Sequence, residues 1–168
     1  MEITHLFSGN ALGAVDKRGR VRLPPFILNE IGGCGGPGRL LFGVHAEDPC
    51  VTGYGAALKP RLHAELERRR LRDEEAGLAP DAHHARTRRL FGLVEEGAYD
   101  EAGRIALPSL ARRRAGIGEA ILFIGAGTHF ELWDPGLALR EGSQEVRALA
   151  AYRLDADGFH SSEEEESR

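Results

Sequence analysis

A segment that occurs twice constrains this chain more than any other feature. Asp16-Lys17-Arg18-Gly19-Arg20-Val21-Arg22-Leu23-Pro24 recurs as Asp100-Glu101-Ala102-Gly103-Arg104-Ile105-Ala106-Leu107-Pro108, 84 positions later. The likeness extends over residues 6–32 against 90–116, with ten identities in 27 positions. A unit present twice is not a solenoid, which stacks three or more copies to bury a core. It predicts two half-domains that complete one another.

The motif has a local logic. A short polar turn ending in Gly fits a tight hairpin in which Gly takes a positive φ. Asp16 and Asp100 stand where a carboxylate accepts a backbone N–H two residues on. The alternation of Leu12 and Ala14, then Val21 and Leu23, has the period of half-buried strands. Pro24 stops the second strand and suits the first turn of a short helix. Phe26, Ile27 and Ile31 supply the buried side of that helix, and Gly32 closes it. Each half therefore reads strand, tight turn, strand, short helix.

The strand pairs that follow also recur. Leu40-Leu41-Phe42-Gly43-Val44, a turn at Asp48-Pro49, and Cys50-Val51-Thr52-Gly53-Tyr54 match Ala120-Ile121-Leu122-Phe123-Ile124, a turn at Gly125-Ala126-Gly127-Thr128, and His129-Phe130-Glu131-Leu132-Trp133. Phe42 and Phe123 stand 81 apart, three fewer than the turns, so the glycine-rich loop Gly33-Cys34-Gly35-Gly36-Pro37-Gly38 carries a three-residue insertion in the first half. It lacks the Lys-Ser/Thr ending of a phosphate loop. Leu58, Leu62 and Leu66 form one stripe of an amphipathic helix. A second segment from Asp81, read as its N-cap, to Leu90 is a helix candidate. Ser143 caps a helix that carries Val146, Leu149, Ala150 and Leu154 on one face. The expected organisation is a first half over 6–57, a helical connector over 58–89, a second half over 90–136, a C-terminal helix over 137–154 and a disordered acidic tail over 155–168.

Charge decides what such a chain can meet. The net charge of −4 looks unsuited to nucleic acid, but residues 155–168 hold six acids and one base, which leaves +1 for the other 154 residues. Bases cluster in that body: Lys17, Arg18, Arg20 and Arg22; Arg68, Arg69, Arg70 and Arg72; Arg86, Arg88 and Arg89; Arg112, Arg113 and Arg114. For the run at 68–72 a solvated helix face is the plain expectation. Nothing approaches the roughly 20 apolar residues of a membrane span. Met1-Glu2-Ile3-Thr4-His5 does not have the form of a secretory signal, so the cytoplasm is the expected location.

Catalytic chemistry is not expected. The seven histidines are scattered, and His83 and His84 are adjacent rather than four apart as a helical metal pair would be. Cys34 and Cys50 make neither a disulfide framework nor a zinc site, and Cys50 is expected to fill the core. No acid pair, nucleophile–base pair or cofactor loop stands out, so neither metal nor cofactor is expected. Asp16 with Arg20 and Asp100 with Arg104 are, at the plainest, pairs that fix a turn. A rigid turn projecting one Arg, placed twice, is also a tool for contacting phosphate or a guanine edge. Lys17, Arg18 and Arg22 add charge to the first copy alone, so the two halves should not bind equally.

Two Asp-x-x-Gly-Arg-x-x-Leu-Pro copies, with Asp48-Pro49-Cys50 and Phe130-Glu131-Leu132-Trp133-Asp134, resemble the MraZ family, whose members consist of two SpoVT-AbrB-like halves. The resemblance covers roughly residues 6–154. It implies a mainly β fold with flanking helices, in which two swapped-hairpin halves form one pseudo-twofold β-barrel. It further implies a sequence-specific regulator, a probable repressor, of the division and cell wall gene cluster, one that binds short promoter repeats as a ring-like homo-oligomer. Double-stranded DNA and further copies of the chain are the expected partners, at the nucleoid. Arg20 and Arg104 are the implied DNA contacts, with Lys17, Arg18 and Arg22 beside them; Asp16, Gly19, Asp100 and Gly103 shape the turns. Ser8 departs from the family, which commonly has Arg there. The alternative is an AbrB-type antitoxin or protein-interaction module, although such proteins usually carry one half per chain.

Overall fold

The computed structural model describes residues 5–32 and 37–157. The first half contains β1 (Asn10–Ala14), β2 (Arg20–Arg22), α1 (Pro25–Ile31), β3 (Gly38–Val44) and β4 (Val51–Tyr54). A single 3-10 turn at Ala56–Leu58 leads into α2 (Lys59–Glu75). This is followed by α3 (Asp81–Thr87), which runs into a wide π turn at Arg88–Gly92. The second half contains β5 (Val94–Tyr99), β6 (Arg104–Ala106), α4 (Ser109–Ala115), β7 (Ala120–Gly125) and β8 (Phe130–Trp133), and the described chain ends with α5 (Pro135–Glu141) and α6 (Gln144–Ala156). None of the described helices is long and apolar enough to cross a membrane.

All eight strands lie in one antiparallel sheet, in the order β1-β7-β8-β4-β3-β5-β6-β2. The sheet curls into a nearly closed barrel, because its two edge strands are joined by the five-residue link 15–19. Most of the pairing crosses between the halves: β1 with β7, β3 with β5, β4 with β8 and β2 with β6. Val21 lies opposite Ile105, its own counterpart in the repeat. A pseudo-twofold axis therefore passes between them, and the halves are exchanged as the resemblance implies.

This exchange corrects the local hairpin reading in the first half, whereas in the second β5 and β6 do pair, Tyr99 opposite Ile105. β1 and β2 are not ladder partners; they are held only by the turn between them, and their remaining backbone groups are satisfied by β7 and β6. The strand alternation also needs correction in β1. Ala14 is exposed, and Leu12 packs outside the barrel against a cluster of Leu122, Trp133, Ala138 and Ala150. The inward position is Gly13, where a Cβ would stand 3.1 Å from both Phe123 and Val21. A bare backbone there lets two core side chains close over the strand.

The barrel interior is built from Val21, Leu23, Ile27, Leu40, Phe42, Val51, Ile105, Ile121, Phe123, Phe130 and Leu132, with Phe7 edge-on to Phe130 at 5.0 Å. The outer cluster lies under α5 and α6. Asp134 caps α5 by accepting from the N–H of Leu137, and Ser143 caps α6 by accepting from that of Val146. Arg153 ties α6 to β1 by donating to the side chain and carbonyl of Asn10. Asp81 is the first residue of α3 and not its cap; Pro80 occupies the cap and no side chain caps the helix. An acid in that first turn still favours the positive end of the helix dipole. Of the segments expected to be loop or tail, residues 33–36, with Cys34, and 158–168 lie outside the described residues, while Asp155 and Ala156 continue α6.

Candidate nucleic-acid interface

Each repeated turn is built by the same bonds. The N–H of Asp16 donates to the carbonyl of Arg20 at 2.8 Å, and that of Gly19 to the carbonyl of Asp16 at 3.0 Å. Oδ1 of Asp16 accepts from the N–H groups of Arg18 (2.8 Å) and Arg20 (2.9 Å). In the second copy Asp100 Oδ1 accepts from Ala102 (3.0 Å) and Arg104 (2.9 Å), with the same two backbone bonds. Gly19 and Gly103 have φ of +75° and +76°, a conformation that costs an L-residue roughly 1–2 kcal/mol. The backbone N–H of Arg20 is the first cause holding the Asp16 carboxyl below its ordinary range, with the N–H of Arg18 and the Arg20 guanidinium adding to it.

The two turns are tied to each other. Leu23 donates its N–H to the carbonyl of Gly103 and Leu107 to that of Gly19, at 2.8 and 3.3 Å. Between these bonds run β2 and β6, with Arg20 opposite Ala106, Val21 opposite Ile105, and Arg22 opposite Arg104. Side chains alternate across a strand. Val21 and Ile105 are buried in the barrel, so Arg20, Arg22 and Arg104 share the outer face of one ribbon. Arg20 pairs with its own Asp16, Nε to Oδ2 at 3.3 Å. Among the described residues no carboxylate pairs with Arg22, Arg104, Lys17 or Arg18.

A further cation, outside the repeated turn, joins this group. Arg112 of α4 lies over the first turn, so close that a Cβ on Gly19 would be 2.5 Å from its Nη1. Its Nε is buried and has no hydrogen-bond partner among the described residues. Leu28 of α1 occupies the equivalent place over Gly103, 2.6 Å from a Cβ there. Aligning the copies does put Leu28 against Arg112, but only the exchange of halves brings each over the other copy's turn.

The family model described as "MraZ protein, putative antitoxin-like" matches residues 90–137, which hold the second turn. Proteins named transcriptional regulator MraZ match most of the chain. The one from Nitrosococcus oceani is 31% identical over 144 residues, 83% of this chain and 89% of its own. That from Burkholderia cenocepacia is 32% identical over 130 residues, 77% and 82% of the two chains. This chain belongs to the MraZ family. A third MraZ relative, from Parvibaculum lavamentivorans, is 28% identical over 130 residues, 77% of this chain and 76% of its own.

In this MraZ-family barrel the opposite pole, where Thr52 pairs with Glu131, holds another group of polar side chains. Ligand atoms of His45, Cys50 and Glu131 lie within 4.8 Å of one another. Their bonding does not fit a metal. His45 Nδ1 accepts the N–H groups of Glu47 (3.1 Å) and Asp48 (2.9 Å). The ring proton therefore sits on Nε2, 3.7 Å from Glu131 Oε2. A metal-bound imidazole needs the reverse, a free lone pair on one nitrogen and a donor on the other. Glu131 already accepts from the Trp133 indole at 2.9 Å, and burial pushes the Cys50 thiol far up. Beside this network lies a cleft of about 330 Å³ walled by Tyr54, Leu58, Leu62 and Leu66, away from the two turns.

Proposed function

We propose that this chain is a non-enzymatic transcriptional regulator that binds duplex DNA with the outer face of the β2–β6 ribbon and the turns flanking it. The observation that carries the reading is the Arg22–Arg104 pair. Like charges directly opposite on a two-stranded ribbon destabilise it, and no acid offsets them among the described residues. A phosphate or a guanine edge would. Arg20 and Arg104 have the fork geometry that reads guanine O6 and N7 in the major groove. Lys17, Arg18 and Arg22 are suited to phosphates, which position a protein without specifying sequence.

Membership in the MraZ family supports the finer reading. The target is a set of short repeats upstream of the division and cell wall gene cluster, and repression follows from occlusion of the promoter. A ring-like homo-oligomer in the cytoplasm, at the nucleoid, would engage several repeats at once and gain avidity by effective concentration. Within each chain the proposed units are the halves 6–57 and 90–136 and the connector 58–89.

The test is a footprint and a gel shift on the DNA upstream of the chain's own gene. Arg20→Ala should weaken specific binding by about 1–3 kcal/mol. Binding as tight as wild type by both Arg20→Ala and Arg104→Ala would overturn the reading.

A further inference from the structure

The exchange of halves has an electrostatic result that the repeat alone does not foretell. Residues 16–20 contain one acid and three bases, and the helix seated over them, α4, carries Arg112, Arg113 and Arg114. Together they sum to +5. Residues 100–104 contain two acids and one base, and the helix over them, α1, offers only Glu30, giving −2. Two sites of the same backbone and the same bonds thus differ by seven charges, and the swap stacks like charge on like. The one acid of the first site is already engaged: Asp16 receives two backbone N–H groups and Arg20.

Arg112 is the centre of this asymmetry. Its guanidinium lies against the Gly19 backbone in the space a Cβ would fill, and among the described residues its buried Nε has no partner. Among the described residues no carboxylate pairs with this cation, and Lys17 and Arg18 of the same turn and Arg113 and Arg114 of α4 are exposed. Leu28 fills the equivalent volume in the second site, so packing alone does not require an arginine.

Resting on the DNA-binding reading above, we infer that Arg112, with Arg113 and Arg114, forms a phosphodiester clamp on the first turn alone, so that one turn grips the DNA backbone while the other contributes only Arg104. Each phosphate neutralised adds about 0.9 to the slope of log K against log salt. Loss of one contact corresponds to roughly eightfold in affinity at 0.1 M salt, relative to the 1 M limit, by the same relation.

The experiment is a fluorescence-anisotropy titration of the full chain over a salt series, on its upstream duplex and on a scrambled duplex of equal length. Arg112→Leu, the residue the other site uses, should lower the slope by about 0.9 on both duplexes alike, and Arg112→Lys should restore it. Arg113 and Arg114 are exposed, so R113A/R114A removes charge without touching the core and should also lower the slope. If Arg112→Leu does not fold, R113A/R114A decides. An unchanged slope in R113A/R114A or in a folded Arg112→Leu overturns the clamp, even if affinity falls. Failure of the underlying reading has a different signature: wild type would not distinguish the two duplexes, and Arg20→Ala would change neither.

Discussion

At the scale of single residues, the two turns depend on atoms that have no substitute. Gly103→Ala places a methyl group 2.6 Å from Leu28 Cδ1 in a left-handed conformation. We expect a loss of at least about 1–2 kcal/mol, read from the midpoint of a urea titration. Asp16 is sensitive in another way. Its folded pKa is depressed, first by the Arg20 N–H bond, so its stabilising contribution is complete above the ordinary value of 3.8 and is lost as pH falls through the lower folded value. Asp16→Asn lacks that charge. The stability gap between wild type and Asp16→Asn should therefore narrow as urea titrations are taken below pH 3.8, and a gap independent of pH would exclude the linkage.

At the scale of elements, strand partners were less legible than turns. Asp, Gly and Pro each announce a backbone need that is met within a few residues, which is why both turns and both short helices can be placed from the chain alone. Which strand pairs with which is set by contacts between residues some 84 apart, as with Val21 and Ile105. No local preference encodes that, so β1 and β2 read as a hairpin. The inward face of β1 escapes the alternation of apolar residues because Gly13, not Leu12, faces the core: the signal there is a missing side chain. Arg112 was visible only as part of a basic run. Aligning the copies sets it against Leu28, but its place over Gly19 needs the exchange. The β4–β8 junction gives a test at this scale. A Cβ on Gly53 would fall 2.3 Å from the Phe130 ring, which is fully buried. Gly53→Ala should overpack that junction and cost about 1–3 kcal/mol or more, seen as a lowered melting temperature.

At the scale of the whole molecule, neither half can close alone. β1 and β5 find their long partners, β7 and β3, only in the other half. Separate peptides covering 5–57 and 90–157 should each lack a cooperative thermal transition, and mixing them should restore one, by circular dichroism. A cooperative transition in either peptide alone would mean that the halves can close without exchange.

The crossing of β2 and β6 within one polypeptide has a further meaning. A dimer of identical subunits must offer the same hand to both sides of its axis, and so is matched to an inverted repeat. Fusion releases that obligation: one hand can mutate without its mirror image following. With arginine lying on one glycine and leucine on the other, the ribbon has a heavy end and a light end. A duplex that met it in the proposed way would be read with a direction, head distinguished from tail, within a single chain.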